Sequence, residues 1–229
     1  YLYCVEARCP QSGWLVPLLP SRVVSSPRSG KKNYVLVDLV PDPVAKRYEI
    51  VVRSNVSIDE INQAEVGTIR REGKYGEAFL IHSVNGVDYK TKISTLRGDV
   101  QGPDGTVTNR LRQWGREEFR PREDDILRER LYCVQWVRGD SGNPSDSKYE
   151  FRTVTAEDIR REEVVNQFVA ANIAGWQSDG LVPDMRIEVG GPPRYQGLDL
   201  VRARGWIYWN HVFNPRQLLY GALINKFGG

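Results

Sequence analysis

The apolar residues of the first half of the chain fall in short runs. Those at residues 2–7, 14–19, 34–39 and 48–53 are rich in β-branched or aromatic residues and bounded by turn formers, which predicts strands. Polar turns separate them at SSPRSGKKN (25–33) and PDPVAK (41–46). Three further runs, GTIRRE, EAFLIH and VDYKTKI, are divided by Gly73, Gly76 and Gly86 and extend this β-rich part to residue 95. From 96 to 130 periodicity fails, and Gly, Pro and alternating charge predict a loop-rich connection. Beyond it, LYCVQWV and KYEFRTV predict a hairpin around the turn-rich GDSGNPSDS.

Helical periodicity takes over near the C-terminus. Thr155 with Asp158 three residues on forms an approximate capping box. Ile159, Val165, Phe168, Val169, Ile173 and Trp176 then share one stripe, predicting a helix over 156–177 that Gly180 ends. A second, shorter helix starts after Asn214, with Pro215 at its first position and Leu218, Leu219, Ala222 and Leu223 as its buried face. The pattern predicts an α+β fold in three pieces: a β-rich part (1–95), a connection (96–130), and a hairpin plus helices (131–229).

Composition narrows the function. Thirty-two Lys plus Arg against 29 Asp plus Glu give a net charge of +3, too weak to argue nucleic-acid binding by itself. No run approaches the roughly 20 apolar residues of a membrane span, and the N-terminus lacks signal-peptide character. Three cysteines, Cys4, Cys9 and Cys133, read as reduced thiols of a cytoplasmic protein. Both ends look cut, so the chain reads as a piece of a larger protein. His82 and His211 are the two histidines, and neither sits in a nucleophile motif. Carboxylate pairs such as Glu117-Glu118 and Asp124-Asp125 read as solvated charge. GPPRY (191–195) has the prolines of an amino-methyltransferase loop but neither the preceding acid or amide nor an aromatic directly after. No catalytic residue and no cofactor site is assigned to this chain.

Three segments remain. Cys9-Pro-Gln-Ser-Gly13 has the frame of a zinc knuckle with Ser12 at the second ligand place, and His82-Ser-Val-Asn-Gly86 has a similar frame. The four positions Cys9, Ser12, His82 and Asn85 hold two good zinc donors, so two tight turns packed without metal are expected. RLRQWGREEFRPR interleaves arginines, among them Arg110, Arg112 and Arg116, with Trp114 and Phe119, which suits stacking on unpaired bases; a solvated loop over the core is the other reading. WNHVFNPRQLLY places His211, Asn214, Arg216 and Gln217 at a helix N-terminus, where they could meet phosphate; rings packed beneath the helix start are the plainer reading. Arg216 opposes the helix dipole there and is expected to reach a carboxylate of this chain.

In their order, these motifs resemble the middle region of adenine-specific DNA methylases containing a zinc ribbon, a family also described as a domain of unknown function. CPQSGWLVPLLPS is similar to the family's first knuckle with one cysteine lost, and HSVNG to its second with both lost. ERLYCVQWV, TAEDIRREE and above all WNHVFNPRQLLY continue the likeness, which spans residues 1 to 223. The resemblance implies a parent that moves a methyl group from S-adenosylmethionine to adenine in DNA. Its cofactor motif and its Asp-Pro-Pro-Tyr loop would lie outside this chain. The implied partners are DNA and the remaining catalytic domain, with no membrane. Arg110, Arg112, Trp114, Arg116, Arg216 and Gln217 are the candidate DNA contacts. The alternative function is a scaffold or docking domain that does not touch nucleic acid.

Overall fold

The computed structural model describes residues 1–26, 34–74, 76–137, 149–188 and 196–228, with the side chains of 196–199 outside it. GPPRY and the turn GDSGNPSDS lie outside the described residues, as does SSPRSGKKN beyond Ser26. The fold is α+β. Contacts gather into two units, Tyr1–Leu96 with Leu127–Thr155, and Arg97–Ile126 with Ala156–Gly229. Among the described residues, no helix is long and apolar enough to cross a membrane.

In the first unit β1 (Leu2–Arg8), β2 (Leu15–Pro17), β3 (Val23–Ser25), β4 (Val35–Asp42) and β5 (Arg47–Ser54) are followed by α1 (Ile58–Ala64). Next come β6 (Ile69–Arg71), β7 (Ala78–Val84), β8 (Val87–Lys92) and α2 (Ile93–Arg97). The second unit opens with the short strands β9 (Val100–Gln101) and β10 (Val107–Thr108). β11 (Leu127–Val137) and β12 (Tyr149–Arg152) return to the first, where a seven-stranded sheet runs β12-β11-β1-β2-β5-β4-β3. Its pairs are antiparallel except the parallel bridge Leu15↔Arg47 between β2 and β5. The predicted hairpin therefore belongs with the β-rich part and not with the helices, because β11 pairs with β1 from Leu2↔Cys133 to Ala7↔Leu127. The sheet curls: the Val52 amide donates to Thr153 Oγ1 at 2.8 Å, bringing the end of β12 against β5. β6, β7 and β8 form a second, three-stranded sheet.

Helix α1, absent from the periodicity reading, starts at a full capping box. Ser57 Oγ accepts from the Glu60 amide and Glu60 accepts from the Ser57 amide at 2.8 Å. That backbone bond, with help from Arg53, holds the Glu60 carboxyl down at about 2. Ala7, Cys9, Trp14, Val16, Tyr48, Leu80, Val84 and Leu96 form the core that ties the two sheets together.

The second unit is organised by α3 (Ala156–Ser178) and α5 (Pro215–Phe227), with α4 (Gln196–Arg204) and a 3₁₀ turn (Trp209–Val212) between them. Val169, Ile173 and Trp176 pack with Leu218, Ala222, Val182 and Phe119. The face of α3 is rotated from the predicted stripe: Ile159 and Phe168 are exposed, while Asp158 and Glu162 are buried. Val169, Ile173 and Trp176 set this face, and the buried Glu162 is paired there by Arg216 of α5. On α5, Leu218 and Ala222 are buried as predicted, Leu219 is half-buried, and Leu223 is exposed.

Candidate functional site

The knuckle is the tight connection of the β1–β2 hairpin. Cys9 N–H donates to Trp14 O and Gly13 N–H to Cys9 O, both at 2.8 Å, and Gly13 takes the left-handed conformation (φ +75°) the turn needs. Backbone amides of Gln11 and Ser12 converge on the Cys9 sulfur. Burial raises the thiol pKa, but the polar contacts of Ser12, Gln11 and Thr91 outweigh it, leaving the thiol below its ordinary value.

His82, on β7, faces this turn. Its Nε2 lies 3.1 Å from Ser12 Oγ and its Nδ1 3.0 Å from the Tyr48 hydroxyl, which donates to Ser83 O at 3.0 Å. Because a carbonyl only accepts, the single Tyr48 proton goes to Ser83. His82 Nδ1–H then donates to Tyr48, leaving Nε2 bare to accept from Ser12. Burial keeps the imidazole below its usual pKa, and its ring stacks on Tyr89.

Asn85 does not join this group. Asn85 (φ 53°) and Gly86 (φ 77°) are the two central residues of a tight β7–β8 hairpin turn, and Asn85 is exposed at its tip. The second knuckle-like frame is thus an Asn-Gly turn. The fourth place around Cys9, Ser12 and His82 is taken by Thr91, whose Oγ1 is 3.7 Å from Cys9 Sγ and which pairs with Leu80 across the ladder. Sequence spacing could not find Thr91; the strand register brings it to the face of His82 and Tyr89. One thiol, one imidazole and two hydroxyls do not fit a structural zinc, which needs four strong donors. Among the described residues no three His, Cys, Asp or Glu side chains gather to hold a metal.

In the second unit the arginine–aromatic loop is pinned by side chains. Gln177 and Asn210, both buried, donate to Arg116 O at 2.9 Å, and Asn210 also donates to Glu118 O at 3.0 Å. His211 Nε2 donates to Gly115 O at 2.9 Å, while its Nδ1 accepts from the Ile207 and Tyr208 amides. Burial lowers the His211 pKa, so the neutral tautomer fits. Gly205 (φ +75°) lets the backbone pass closely: a Cβ there would lie 2.1 Å from Arg112 O.

This architecture uses most of the candidate DNA contacts internally. Trp114 is buried against Trp206 and His211. Arg112 grips Asp125 through two nitrogens at 3.0 and 2.8 Å and Glu118 at 2.6 Å. Burial raises the Glu118 and Asp125 carboxyls. The Gly115 amide, Arg112 and Arg122 at Glu118, and Arg112 with the Arg122 amide at Asp125, more than offset it, and both end below the usual range. Arg116 pairs with Asp184, and Arg216 with Glu162 as expected. Gln217 and Asn214 complete a capping box, each accepting from the other's amide at 3.0 Å. Arg110 is exposed and, among the described residues, forms no ion pair. No family model, no curated protein and no solved structure matches the chain.

Proposed function

We propose that the chain is a non-catalytic insert of an S-adenosylmethionine-dependent, adenine-specific DNA methyltransferase, serving DNA recognition or target positioning in the cytoplasm. The carrying observation is the knuckle at Cys9–Gly13 facing His82 at 3.1 Å through Ser12, seventy residues apart. Of the second frame only His82 meets this knuckle, since Asn85 lies at the tip of a hairpin turn. The ordered motifs ending in Asn214-Pro215-Arg216-Gln217-Leu218-Leu219 support the same reading. S-adenosylmethionine would bind the parent protein's catalytic domain, and DNA would be met together with that domain. Extruding a base for chemistry calls for such contacts beyond the catalytic pocket.

One observation favours a second reading, a scaffold or docking domain without nucleic-acid contact. Arg112, Arg116 and Arg216 are held by carboxylates and Trp114 is buried, so phosphates and bases would have to displace internal partners. Titrating the chain with duplex and single-stranded DNA at several salt concentrations separates the two. A recognition insert gives an affinity that falls steeply with salt. Absence of binding at low salt refutes DNA recognition by this chain and leaves docking.

A further inference from the structure

Strand β4 is covered along only part of one edge. β3 pairs with it at Val35 and Leu36, and the Arg22 carbonyl takes the Val37 amide at 2.8 Å. Backbone groups alternate sides along a strand, so Val35, Val37 and Leu39 face this edge while Asp38 and Val40 bond to β5. The partner strand agrees: Val52, opposite Val37, turns its amide away from β4 to Thr153 Oγ1. Among the described residues nothing bonds the Leu39 amide or carbonyl. Pro41, the next residue on this edge, has no amide to leave unpaired.

The uncovered stretch opens on a groove of about 450 Å³ within the first unit, lined by Leu39 and Val40 of the seven-stranded sheet and by His82 and Ser83 of the three-stranded one. The polar side chains in it are already paired. Tyr48 bonds His82 Nδ1 and the Ser83 carbonyl, and the Thr68 hydroxyl bonds the Pro17 carbonyl. Arg22 meets Asp38 at 3.6 Å and the Gln63 carbonyl at 3.3 Å. What stays open is backbone. Ile81 donates to Thr68 O on the β6 side, so Ser83, two residues on, turns its amide the same way, past the end of the β6 ladder. The groove thus offers a donor and an acceptor from Leu39 and a donor from Ser83.

We propose that this groove takes an extended segment of a partner protein as an added strand. It would run antiparallel to β4 in continuation of β3, one residue exchanging both backbone bonds with Leu39. A donor and an acceptor at strand spacing are met together by another extended backbone, and an uncovered edge is a template for one. The residue opposite Leu39 would turn its side chain inward with the half-buried Leu39, and its neighbours outward with Asp38 and the exposed Val40. The segment that fits therefore alternates apolar and polar residues. Nucleic acid gains little here, because Asp38 balances the charge of Arg22. The inference rests on the docking reading, to which it gives a place and a partner conformation.

Amide hydrogen exchange of the intact chain, followed by NMR, tests it. The probe is an end-blocked peptide of about eight residues, alternating Val and Thr between terminal lysines. In the free chain the Leu39 amide should exchange at least about 100-fold faster than those of Asp38 and Val40. The peptide at about 1 mM should slow Leu39 at least about tenfold. A copy N-methylated at every Val cannot donate to the Leu39 carbonyl and should leave Leu39 fast. A Leu39 amide already protected in the dilute free chain overturns the open edge. Protection that appears without peptide as the protein concentration rises assigns the edge to a second copy and overturns a foreign segment. Equal protection by the N-methylated copy overturns backbone pairing. If neither peptide slows Leu39 the added strand is refuted, while the docking reading still stands or falls by the DNA titration.

Discussion

Two pairs of side chains around the knuckle lie near the spacing of ligands on one metal ion, and two substitutions should create a site there. With zinc–sulfur bonds near 2.3 Å and zinc–nitrogen bonds near 2.0 Å, the edges of a tetrahedron are about 3.5–3.8 Å. Cys9 Sγ and Thr91 Oγ1 are 3.7 Å apart, and Ser12 Oγ and His82 Nε2 3.1 Å apart, close to two such edges. His82 already presents a bare Nε2 and is oriented through Nδ1 by Tyr48, as a zinc-bound histidine is by its outer partner. The double variant S12C/T91C therefore offers three thiolates and one imidazole. Without metal it should lose about 1–2 kcal/mol, because two hydroxyl hydrogen bonds go. With free zinc near 1,000 times the dissociation constant, binding returns about 4 kcal/mol. At about 4 °C per kcal/mol this is a rise of roughly 15 °C in the melting temperature. Thermal unfolding with zinc and with chelator reads the difference, and cobalt substitution reports tetrahedral thiolate ligation by its colour. The variant S12C/N85C is the control: Asn85 lies at the hairpin tip, so this pair should gain nothing from zinc. A zinc-independent melting temperature in S12C/T91C, or an equal gain in S12C/N85C, would refute the geometry.

Three further outcomes follow from the hydrogen-bond accounting. Asn210→Ala removes two hydrogen bonds to the carbonyls of Arg116 and Glu118 and should cost about 2–3 kcal/mol in urea unfolding; a loss below about 0.5 kcal/mol would mean water replaces it freely. Asn214→Ala breaks the α5 capping box and should cost about 1 kcal/mol, with Asn214→Asp nearly neutral by the same measurement. His82 and His211 are held below their unfolded pKa, so the unfolded chain binds more protons and stability falls as pH drops through about 6.5. Glu118 and Asp125, also depressed, add a second loss below about pH 4. Urea midpoints that stay flat from pH 7.5 to 5, or that are flattened by neither His82→Gln nor His211→Gln, would contradict the first step.

Sequence by itself determined the local elements with strong chemistry. The N-cap Asn214 followed by Pro215, the long periodic run of α3, and the β-branched runs of β1, β4 and β5 all form where propensity and capping put them, because those signals act over a few residues. Helix α1 was equally legible in Ser57 and Glu60, and the Asn85-Gly86 turn in the two residues that best tolerate positive φ; both are local signals that the knuckle and strand patterns masked. Tertiary structure decided what depends on partners far along the chain. Strand β11 belongs to the first sheet because its ladder with β1 buries Cys133 and Leu131, a pairing across more than 120 residues that no local pattern encodes. Glu162 could be buried on the packed face of α3 because Arg216 of α5 neutralises it, and burial of a paired carboxylate is not a hydrophobic signal. Thr91 reached Cys9 through strand register, and Arg112 was lost to DNA contact because Asp125 and Glu118 satisfy its planar donors inside the unit. A residue's type sets which contacts it can make, and only the fold supplies the partner.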